Sequence, residues 1–493
     1  MTETSTIFPA GRLFAGGRLF IGGQWRDSAS GRSLEVIDPS TGSAIGSIAD
    51  ADASDVSDAV AAARHAFDDG PWRGWTGRDR SEVLVKIAEL VREHGDELAE
   101  RESRDVGKPL AACRRGDINS VANQFAYCAS LAQSLHGSTR ELQTAAFAHT
   151  RREPYGVVGA ITPFNFPLVL SGTKIAPALA AGNVIVHKPA EEASLSALLM
   201  AQLMADAGLP DGVYNLVTGL GSVAGNALIT HPGIDKLTFT GSSRTGKRVA
   251  AAAAENLIPV TMELGGNASN IIFDDVDIDR AVGTAISGFV FNSGQYCMAG
   301  TRLLVARSIY ERVLAELAER IPHLVVGDPR DPATDLGPMA AERHRANVER
   351  YVQLAREDGG RVVVGGEARN DGGGFYYLPT VIADLRNDSR VVQEEIFGPV
   401  LTVQPFDTEA EAISMANSTV YGLASGLQTR DLVRAHRVAA KLDAGMVWIN
   451  TWSKNDASLP FGGVKQSGYG RESGPEVLES YTRIKSVVMS LED

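Results

Sequence analysis

The chain has 493 residues, of which 44% are hydrophobic and 22% are charged. At about 150 residues per domain, this length predicts two or three folded domains, and the composition excludes disorder as the main state. The 47 Lys and Arg residues against 60 Asp and Glu residues give a formal charge of −13. Because an acidic surface repels phosphate backbones and anionic lipid headgroups, we expect neither a nucleic-acid nor a membrane partner.

Cysteines and histidines are too few and too dispersed for a disulfide framework or a metal centre. The three cysteines are at positions 113, 128 and 297. Any cysteine with a function is therefore expected to be a free thiol, and so few cysteines favour a reducing compartment. Neither C-x-x-C nor H-E-x-x-H occurs, so no metal site is expected. Residues 1–17 lack a helical period, and the first ten contain no Lys or Arg, which predicts a loose tail on a cytoplasmic protein. Arg12 and Arg18 leave a transit peptide as the alternative.

The predicted elements begin with helices and then change to alternating strands and helices. Apolar residues spaced three and four apart predict amphipathic helices over 54–67 and 80–101, the first capped by Asp52 or Ser54. From Tyr155, short β-rich runs alternate with helical segments, among them 168–181 and 194–207. These runs are GVVGAIT, NVIVHK, VYNLV, KLTFT and PVTMEL. Near-continuous apolar strands separated by helices indicate a doubly wound α/β domain with a parallel sheet.

A second alternating series runs from Asn270 to Asn450 and predicts a second α/β domain. It includes the runs TRLLVA, LTVQPF, LASGLQT and GMVWIN. Near the C-terminus, TRIKSVVMS alternates as a strand does but has no partner nearby in the sequence. We therefore expect it to pair with a remote segment or with another subunit, which favours an oligomer.

Two glycine-rich turns between a strand and a helix are competing candidates for a nucleotide site. Residues 219–224 satisfy G-x-G-x-x-[GA], the pattern in which backbone amides hold a pyrophosphate. No acidic residue closes a strand about 20 residues later, as that pattern requires. Residues 239–247 end the strand KLTFT and open a helix, with amides, hydroxyls and Lys247 able to meet an anion. An ordinary capped turn is the alternative interpretation of this second segment.

Two residues are candidates for catalysis on local grounds. Cys297 lies among small residues in NSGQYCMAG and is either a nucleophile or a buried apolar thiol. Glu263 ends an apolar strand, where burial would raise its pKa towards that of a general base. A structural, salt-bridged Glu is the alternative for Glu263, and Cys113 and Cys128 lie on helical stretches that indicate a structural role.

Seven motifs occur in one order along the chain. They are PFNFP at 163–167, KPAE at 188–191, FTGS at 239–242 with Gly246, ELGG at 263–266, GQYC at 294–297, EIFGP at 395–399 and PFGG at 460–463. This ordered set closely resembles the NAD(P)-dependent aldehyde dehydrogenase superfamily from about residue 19 to the C-terminus. The resemblance implies a Rossmann-like NAD-binding domain (18–131 and 151–262), a doubly wound catalytic domain (263–477) and a small β oligomerisation element (132–150 and 478–493).

The resemblance also implies a mechanism and a set of site residues. Cys297 would attack the aldehyde, the Asn165 amide and the Cys297 N–H would hold the resulting oxyanion, and Glu263 would activate the water that hydrolyses the thioester. Acyl-transferring relatives that use coenzyme A typically lack this Glu, so a free acid is the expected product. A homodimer or a homotetramer is implied.

The cofactor and substrate residues follow from the same resemblance. Lys188 and Glu191 would lie at the adenosine ribose, where a carboxylate accepts from a free 2′-hydroxyl and favours NAD over NADP. Gly241, Ser242 and Gly246 would follow the phosphates, and Glu395 and Phe397 the nicotinamide ribose. An aromatic substrate pocket would comprise Phe166, Tyr296, Trp452 and Phe461.

The sequence departs from the family pattern at two positions, and three other functions remain open. Tyr296 stands directly before the nucleophile in place of a smaller residue, and we expect it to project towards the substrate. Asn267 follows ELGG where Lys is common. The alternatives are a semialdehyde-specific dehydrogenase, a thioester hydrolase that uses the same cysteine, and a structural protein that keeps the fold without the chemistry.

Overall fold

The computed structural model describes residues 18–369 and 372–492. The predicted tail, residues 1–17, lies outside the described residues. Two large sheets with helices packed against them account for most of the remainder, as the two alternating series predict. No helix in the described ranges is long and apolar enough to cross a bilayer.

The first sheet has eight strands, of which the five central ones are parallel. These five are the β-rich runs predicted between 156 and 264, so the first doubly wound domain is confirmed. In spatial order the strands are Gln24–Arg26, Leu19–Ile21, Tyr214–Leu216, Val184–Lys188, Val157–Ile161, Lys236–Thr240, Val260–Glu263 and Gly468–Tyr469. The last strand crosses the expected domain boundary, because it comes from the segment assigned to the catalytic domain.

The second sheet has seven strands and confirms the second α/β series. All neighbours are parallel except Arg361–Val364, which runs antiparallel at one edge. The order is Arg361–Val364, Thr380–Ala383, Val400–Phe406, Arg302–Ala306, Ser269–Ile272, Ala424–Gln428 and Met446–Ile449. Two small hairpin sheets, Ser33–Asp38 with Ser43–Ala49 and Ala368–Arg369 with Tyr376–Tyr377, lie outside the two large sheets.

A third sheet joins two distant parts of the chain. Thr482–Ser490, the predicted C-terminal strand, pairs antiparallel with Ala146–Pro154 over nine residue pairs. Thr139–Arg140 lies on the other side of Ala146–Pro154. The expected remote partner is therefore within the same chain, and the middle strand continues four residues past the expected boundary at 150.

The helices agree with the predicted periods except at one position. The predicted helix over 54–67 is Ala53–Asp68, and Asp52 caps it by accepting from the backbone N–H groups of Ser54 and Asp55. The prediction of a single helix over 80–101 is wrong, because the helix is interrupted at His94. Gly95 packs so closely on Ile118 that a Cβ there would lie 3.0 Å from the Ile118 side chain, so tertiary contact overrides the local period. The α-helices are Ala53–Asp68, Gly77–Glu93, Gly95–Val106, Leu110–Ala112, Ile118–Leu131, Pro167–Ala180, Leu195–Asp206, Asn226–Thr230, Ser243–Glu255, Ile278–Val290, Tyr310–Arg320, Glu342–Glu357, Arg390–Gln393, Glu409–Asn417, Leu432–Ala439 and Val477–Ser480.

Strand order places the predicted motifs at one edge of the first sheet. From Val157–Ile161 the chain moves outward through two strands, then returns to the other side at Lys236–Thr240. In open α/β sheets the crevice beyond the carboxyl ends of the strands, at such a reversal, is where ligands bind. The motifs at 163–167, 188–191, 239–242 and 263–266 all lie at or directly after the carboxyl ends of these strands.

Candidate active site

The nucleophile candidate lies at the end of a tightly fixed turn. Helix Ile278–Val290 gives way to a turn in which Asn292, Ser293 and Gly294 have φ values of 50°, 54° and 72°. A Cβ at Gly294 would lie 2.1 Å from the carbonyl oxygen of Gly398. Only glycine therefore fits at 294, and the left-handed residues fix the path by which the chain reaches Cys297.

Asn165 and the Cys297 segment are joined by hydrogen bonds. The Asn165 side-chain amide donates to the Gln295 carbonyl at 2.9 Å, and the Asn292 amide donates to the Asn165 carbonyl at 2.9 Å. Asn165 is buried, and its Oδ1 has no hydrogen-bond partner. Two segments 130 residues apart thus meet as the resemblance implies, with the amide beside the nucleophile loop.

The Cys297 thiol is partly buried and is not in a disulfide. Burial raises its pKa above the usual range, and the carboxylates of Glu395 and Glu263 raise it further. The thiol must therefore lose its proton to a base before it can attack. Cys113 and Cys128 are buried thiols on helical stretches, which agrees with a structural role.

Glu263 is a buried carboxyl group without a hydrogen-bond partner on either oxygen. Burial raises its pKa well above the usual range, and the negative charge of Glu472 adds to this while Lys174 opposes it. This direction agrees with the rise in pKa expected at the end of an apolar strand. Within residues 18–369 and 372–492, no cation forms a salt bridge with this carboxyl group. A carboxyl group with a raised pKa and free lone pairs is suited to accept a proton from water.

A buried ion pair close to Glu263 was not predicted. Lys174 and Glu472 are both fully buried and paired, and Thr173 donates to the second Glu472 oxygen at 2.9 Å. The backbone of Glu472 also exchanges two hydrogen bonds with Phe461, at 2.6 and 2.8 Å. Because Lys174 and Glu472 are 298 residues apart, no local pattern signals the pair.

Glu395 lies across a glycine turn from the nucleophile. Its carboxylate accepts from the Gly266 N–H at 2.9 Å, and burial raises its pKa to about 7 although that hydrogen bond opposes the shift. A Cβ at Gly265 would lie 2.3 Å from the Glu395 carboxylate, and one at Gly266 would lie 2.1 Å from the Cys297 carbonyl. Asn267 then holds the segment before Glu395, because its amide donates to the Val392 carbonyl at 2.8 Å.

Lys188 and Glu191 form a pair beside the first glycine-rich turn. The Lys188 ammonium donates to Glu191 at 3.0 Å. Partial burial is the largest single influence and raises the pKa of Glu191, but the charge and hydrogen bond of Lys188, a backbone hydrogen bond and the charge of Arg343 together hold the pKa below the usual range. A Cβ at Gly221 would lie 3.8 Å from the Glu191 carboxylate and 3.9 Å from the Lys188 ammonium. Gly221 thus borders this ionised carboxylate, and Gly225 borders the Lys188 side chain.

The second glycine-rich turn is a capped helix start. Ser242 caps helix Ser243–Glu255 and accepts from the Thr245 N–H at 3.2 Å. Gly246 packs on Leu264, where a Cβ would approach to 2.4 Å. Lys247 donates to the Gln466 side chain at 3.0 Å, so its ammonium is held by a neighbouring loop.

Aromatic side chains near Cys297 form a chain of ring contacts. The Phe166 and Phe291 rings lie 5.9 Å apart, and the Phe291 and Tyr296 rings 5.7 Å apart. The Tyr296 ring is buried, and its hydroxyl donates to the Gly288 carbonyl. Phe291 was not predicted as a pocket residue, because it directly follows the preceding helix and lies outside the sequence motifs.

Trp452 and Phe397 are held by contacts that do not involve the Phe166, Phe291 and Tyr296 rings. Trp452 is buried against Gly288 and Gly300 and donates its indole N–H to the Met298 carbonyl at 3.1 Å. Phe397 has a φ of 59°, and its ring lies 5.8 Å from that of Phe164. Phe164 in turn stacks on His344 at 4.3 Å, a second residue that the sequence motifs did not indicate. Burial lowers the pKa of His344 to about 4.

Asn165, Glu263 and the Cys297 segment lie close together beyond the carboxyl ends of strands in a doubly wound sheet, where α/β enzymes bind their ligands. A family model described as the aldehyde dehydrogenase family matches residues 25–487. The chain therefore belongs to the aldehyde dehydrogenase family, and its reaction is the oxidation of an aldehyde.

Individual relatives match over nearly the whole chain. An aldehyde dehydrogenase family 2 member C4 from Arabidopsis thaliana is 43% identical over 470 residues, covering 95% of this chain and 94% of the relative. The NAD+ complex of an aldehyde dehydrogenase from Bacillus cereus is 40% identical, with a TM-score of 0.95 and 97% of each chain covered. A betaine aldehyde dehydrogenase from Staphylococcus aureus, solved with NAD+, is 38% identical at the same TM-score, covering 97% of this chain and 95% of that one.

Proposed function

We propose that this aldehyde dehydrogenase is hydrolytic, so that a thioester on Cys297 is released by water as a free carboxylic acid. The observation that carries the proposal is the buried Glu263 carboxyl group, whose two oxygens have no hydrogen-bond partner among the protein groups that the structure describes. A carboxyl group left unsatisfied in a protein interior is costly unless a function retains it. Activation of water at the acyl carbon is a function that requires such a group.

The first half of the reaction needs a nucleophile and an oxyanion donor. Cys297 attacks the aldehyde carbon and gives a thiohemiacetal whose oxygen bears negative charge. An Asn amide carries two N–H donors, and only one of those on Asn165 is used by the Gln295 carbonyl. The second N–H, together with the Cys297 backbone N–H, is available to stabilise the oxyanion without titrating.

The residues present also fit NAD. The ionised Glu191 carboxylate can accept from ribose hydroxyls, the missing side chain at Gly221 leaves space beside it, and the capped helix start at Ser242 can meet a phosphate. Glu395 and Phe397 would hold the nicotinamide ribose. Bound NAD supplies the hydride acceptor, and the solved relatives that carry NAD+ support this choice.

Cofactor preference is expected to depend on Glu191. A carboxylate repels a 2′-phosphate, so kcat/KM should be higher with NAD than with NADP. Glu191→Ser should narrow that gap by about 1–3 kcal/mol. The matched control is Glu192→Ser, because the neighbouring Glu192 pairs with Arg343 and should not influence the choice. Equal use of both cofactors by the unmodified enzyme would contradict the assignment.

The third sheet supports a homo-oligomer. Strand Thr482–Ser490 is paired on one side only, and Ile484, Val488 and Met489 on it are 64%, 61% and 56% exposed. An unpaired apolar edge strand is a site for association with another chain. We expect the unmodified protein to sediment as a dimer or tetramer and Val488→Lys to shift it towards the monomer. A monomeric unmodified protein would overturn this proposal.

The direct test of the proposed function is NADH formation with a panel of aldehydes. Apolar and aromatic aldehydes should be oxidised without coenzyme A, since the ring contacts of Phe166, Phe291 and Tyr296 suit such substrates. A strict requirement for coenzyme A would overturn hydrolysis. Strong preference for a carboxylated aldehyde would favour the semialdehyde-specific alternative, and thioester turnover without NAD would favour a hydrolase.

A further inference from the structure

A buried cluster of charged groups lies behind Phe166 and has no part in the reaction described above. Its members are Glu102, Lys108 and Asp117, each almost completely buried. The Lys108 ammonium is paired with the Asp117 carboxylate. Buried charges are rare in proteins unless they are paired, so the cluster needs a reason to persist at this position.

Lys108 contacts an aromatic ring as well as a carboxylate. Its ammonium lies 3.8 Å from the centroid of the Phe166 ring. A cation over a ring face is attracted by the ring quadrupole, and the attraction is greater when water is excluded. The ammonium therefore restrains one face of Phe166, and its pairing with Asp117 restrains the ammonium.

The same cluster also contacts the backbone that follows Phe166. A Glu102 carboxylate oxygen accepts from the Leu168 N–H at 3.4 Å, and its other oxygen is buried without a hydrogen-bond partner. Leu168 lies in the first turn of helix Pro167–Ala180, and Asn165 directly precedes Phe166. The cluster thus contacts both the Phe166 side chain, through Lys108, and the backbone of the following turn, through Glu102.

We propose that Lys108 is a positioning residue for aldehyde binding, because its buried ammonium fixes the Phe166 ring as a wall of the substrate pocket. The inference rests on the proposed function, since it takes Phe166 to line that pocket. Phe166 contacts Phe291, which contacts Tyr296 beside the nucleophile. A displaced Phe166 ring would therefore alter the space next to Cys297 and weaken aldehyde binding more than the chemical step.

The test compares two variants that differ only in the ammonium. Asp117→Asn removes the ion-pair partner and leaves the cation over the ring, whereas Lys108→Met/Asp117→Asn also removes the cation. Glu102 is then the one carboxyl group of the cluster, and it is present in both variants. The double variant should have an aldehyde KM about tenfold above that of Asp117→Asn, with kcat and the KM for NAD within about twofold. Lys108→Arg keeps a positive charge that can stack on the ring, so its aldehyde KM should remain closer to that of the unmodified enzyme than to that of the double variant.

A second comparison separates the ring contact from a general structural role. Phe166→Leu should itself raise the aldehyde KM. In the Phe166→Leu background, the variant that also carries Lys108→Met/Asp117→Asn should have an aldehyde KM within about twofold of the variant that also carries Asp117→Asn alone. Equal KM values for Asp117→Asn and the double variant, or effects that multiply with Phe166→Leu, would show that the cluster only stabilises the fold. If the unmodified enzyme oxidises no aldehyde, the proposed function and this inference are both refuted. If the enzyme is active but the KM values are equal or the effects multiply, only this inference is refuted.

Discussion

Cys297→Ser is expected to lower kcat by about a thousandfold or more while the enzyme still binds NAD. Serine has nearly the shape of cysteine, but its hydroxyl is a much weaker acid and nucleophile than a thiol. The turn through Asn292 and Gly294 should be unaffected, because its hydrogen bonds do not involve the Cys297 side chain. Residual dehydrogenase activity above a few per cent would contradict the assignment of the nucleophile.

The matched control for this variant is Cys128→Ser. Cys128 is a buried thiol on helix Ile118–Leu131 that contacts the Gln124 amide at 3.5 Å. Its replacement should keep kcat per folded enzyme close to that of the unmodified protein. NAD binding, measured by protection against thermal unfolding, should be retained in both variants and so separate loss of chemistry from loss of fold.

Glu263→Gln is expected to stop the enzyme after hydride transfer. An amide cannot accept the proton of the attacking water, so the thioester should persist. Rapid mixing with aldehyde and NAD should give a burst of NADH that approaches one per active site, followed by a slow steady state. Because no group in the described part of the chain forms a hydrogen bond or ion pair with Glu263, the substitution removes neither and should leave the fold unchanged.

Asn165→Ala should behave differently and is the comparison for that burst. Loss of an oxyanion donor typically lowers the rate by about 10²–10³ at the step that forms the adduct. NADH should then appear slowly and without a burst. A Glu263→Gln enzyme that also lacks a burst would indicate that the carboxylate acts earlier, for example on the thiol proton, whose release burial and nearby carboxylates oppose.

The parts of the molecule that were predictable depend on local pattern. Each of the five central strands in the first sheet is an apolar run between turn residues, and burial on both faces requires that composition. The capping of Ala53–Asp68 by Asp52 likewise depends on neighbours in sequence. The catalytic roles of the residues at 165, 263 and 297 come from the family resemblance and stay predictions, although the structure joins Asn165 to the Cys297 segment.

The parts that were missed depend on contacts between distant segments. The break at His94 follows from close packing of Gly95 on Ile118, which no helical period reveals. The Lys174–Glu472 pair joins residues that are 298 positions apart in the sequence. The projection of Tyr296 towards the substrate stays a prediction, and the hydrogen bond from its hydroxyl to the Gly288 carbonyl is a detail that the sequence did not indicate.

The most direct test of the account is the mass of the Glu263→Gln enzyme after one turnover. Reaction with aldehyde and NAD, acid quench and intact-mass spectrometry should find one acyl group per chain. Peptide mapping should then assign that group to the peptide that contains Cys297. An unmodified Cys297, or an acyl group on Cys113 or Cys128, would contradict a thioester at the site built by Asn165, Glu263 and Cys297.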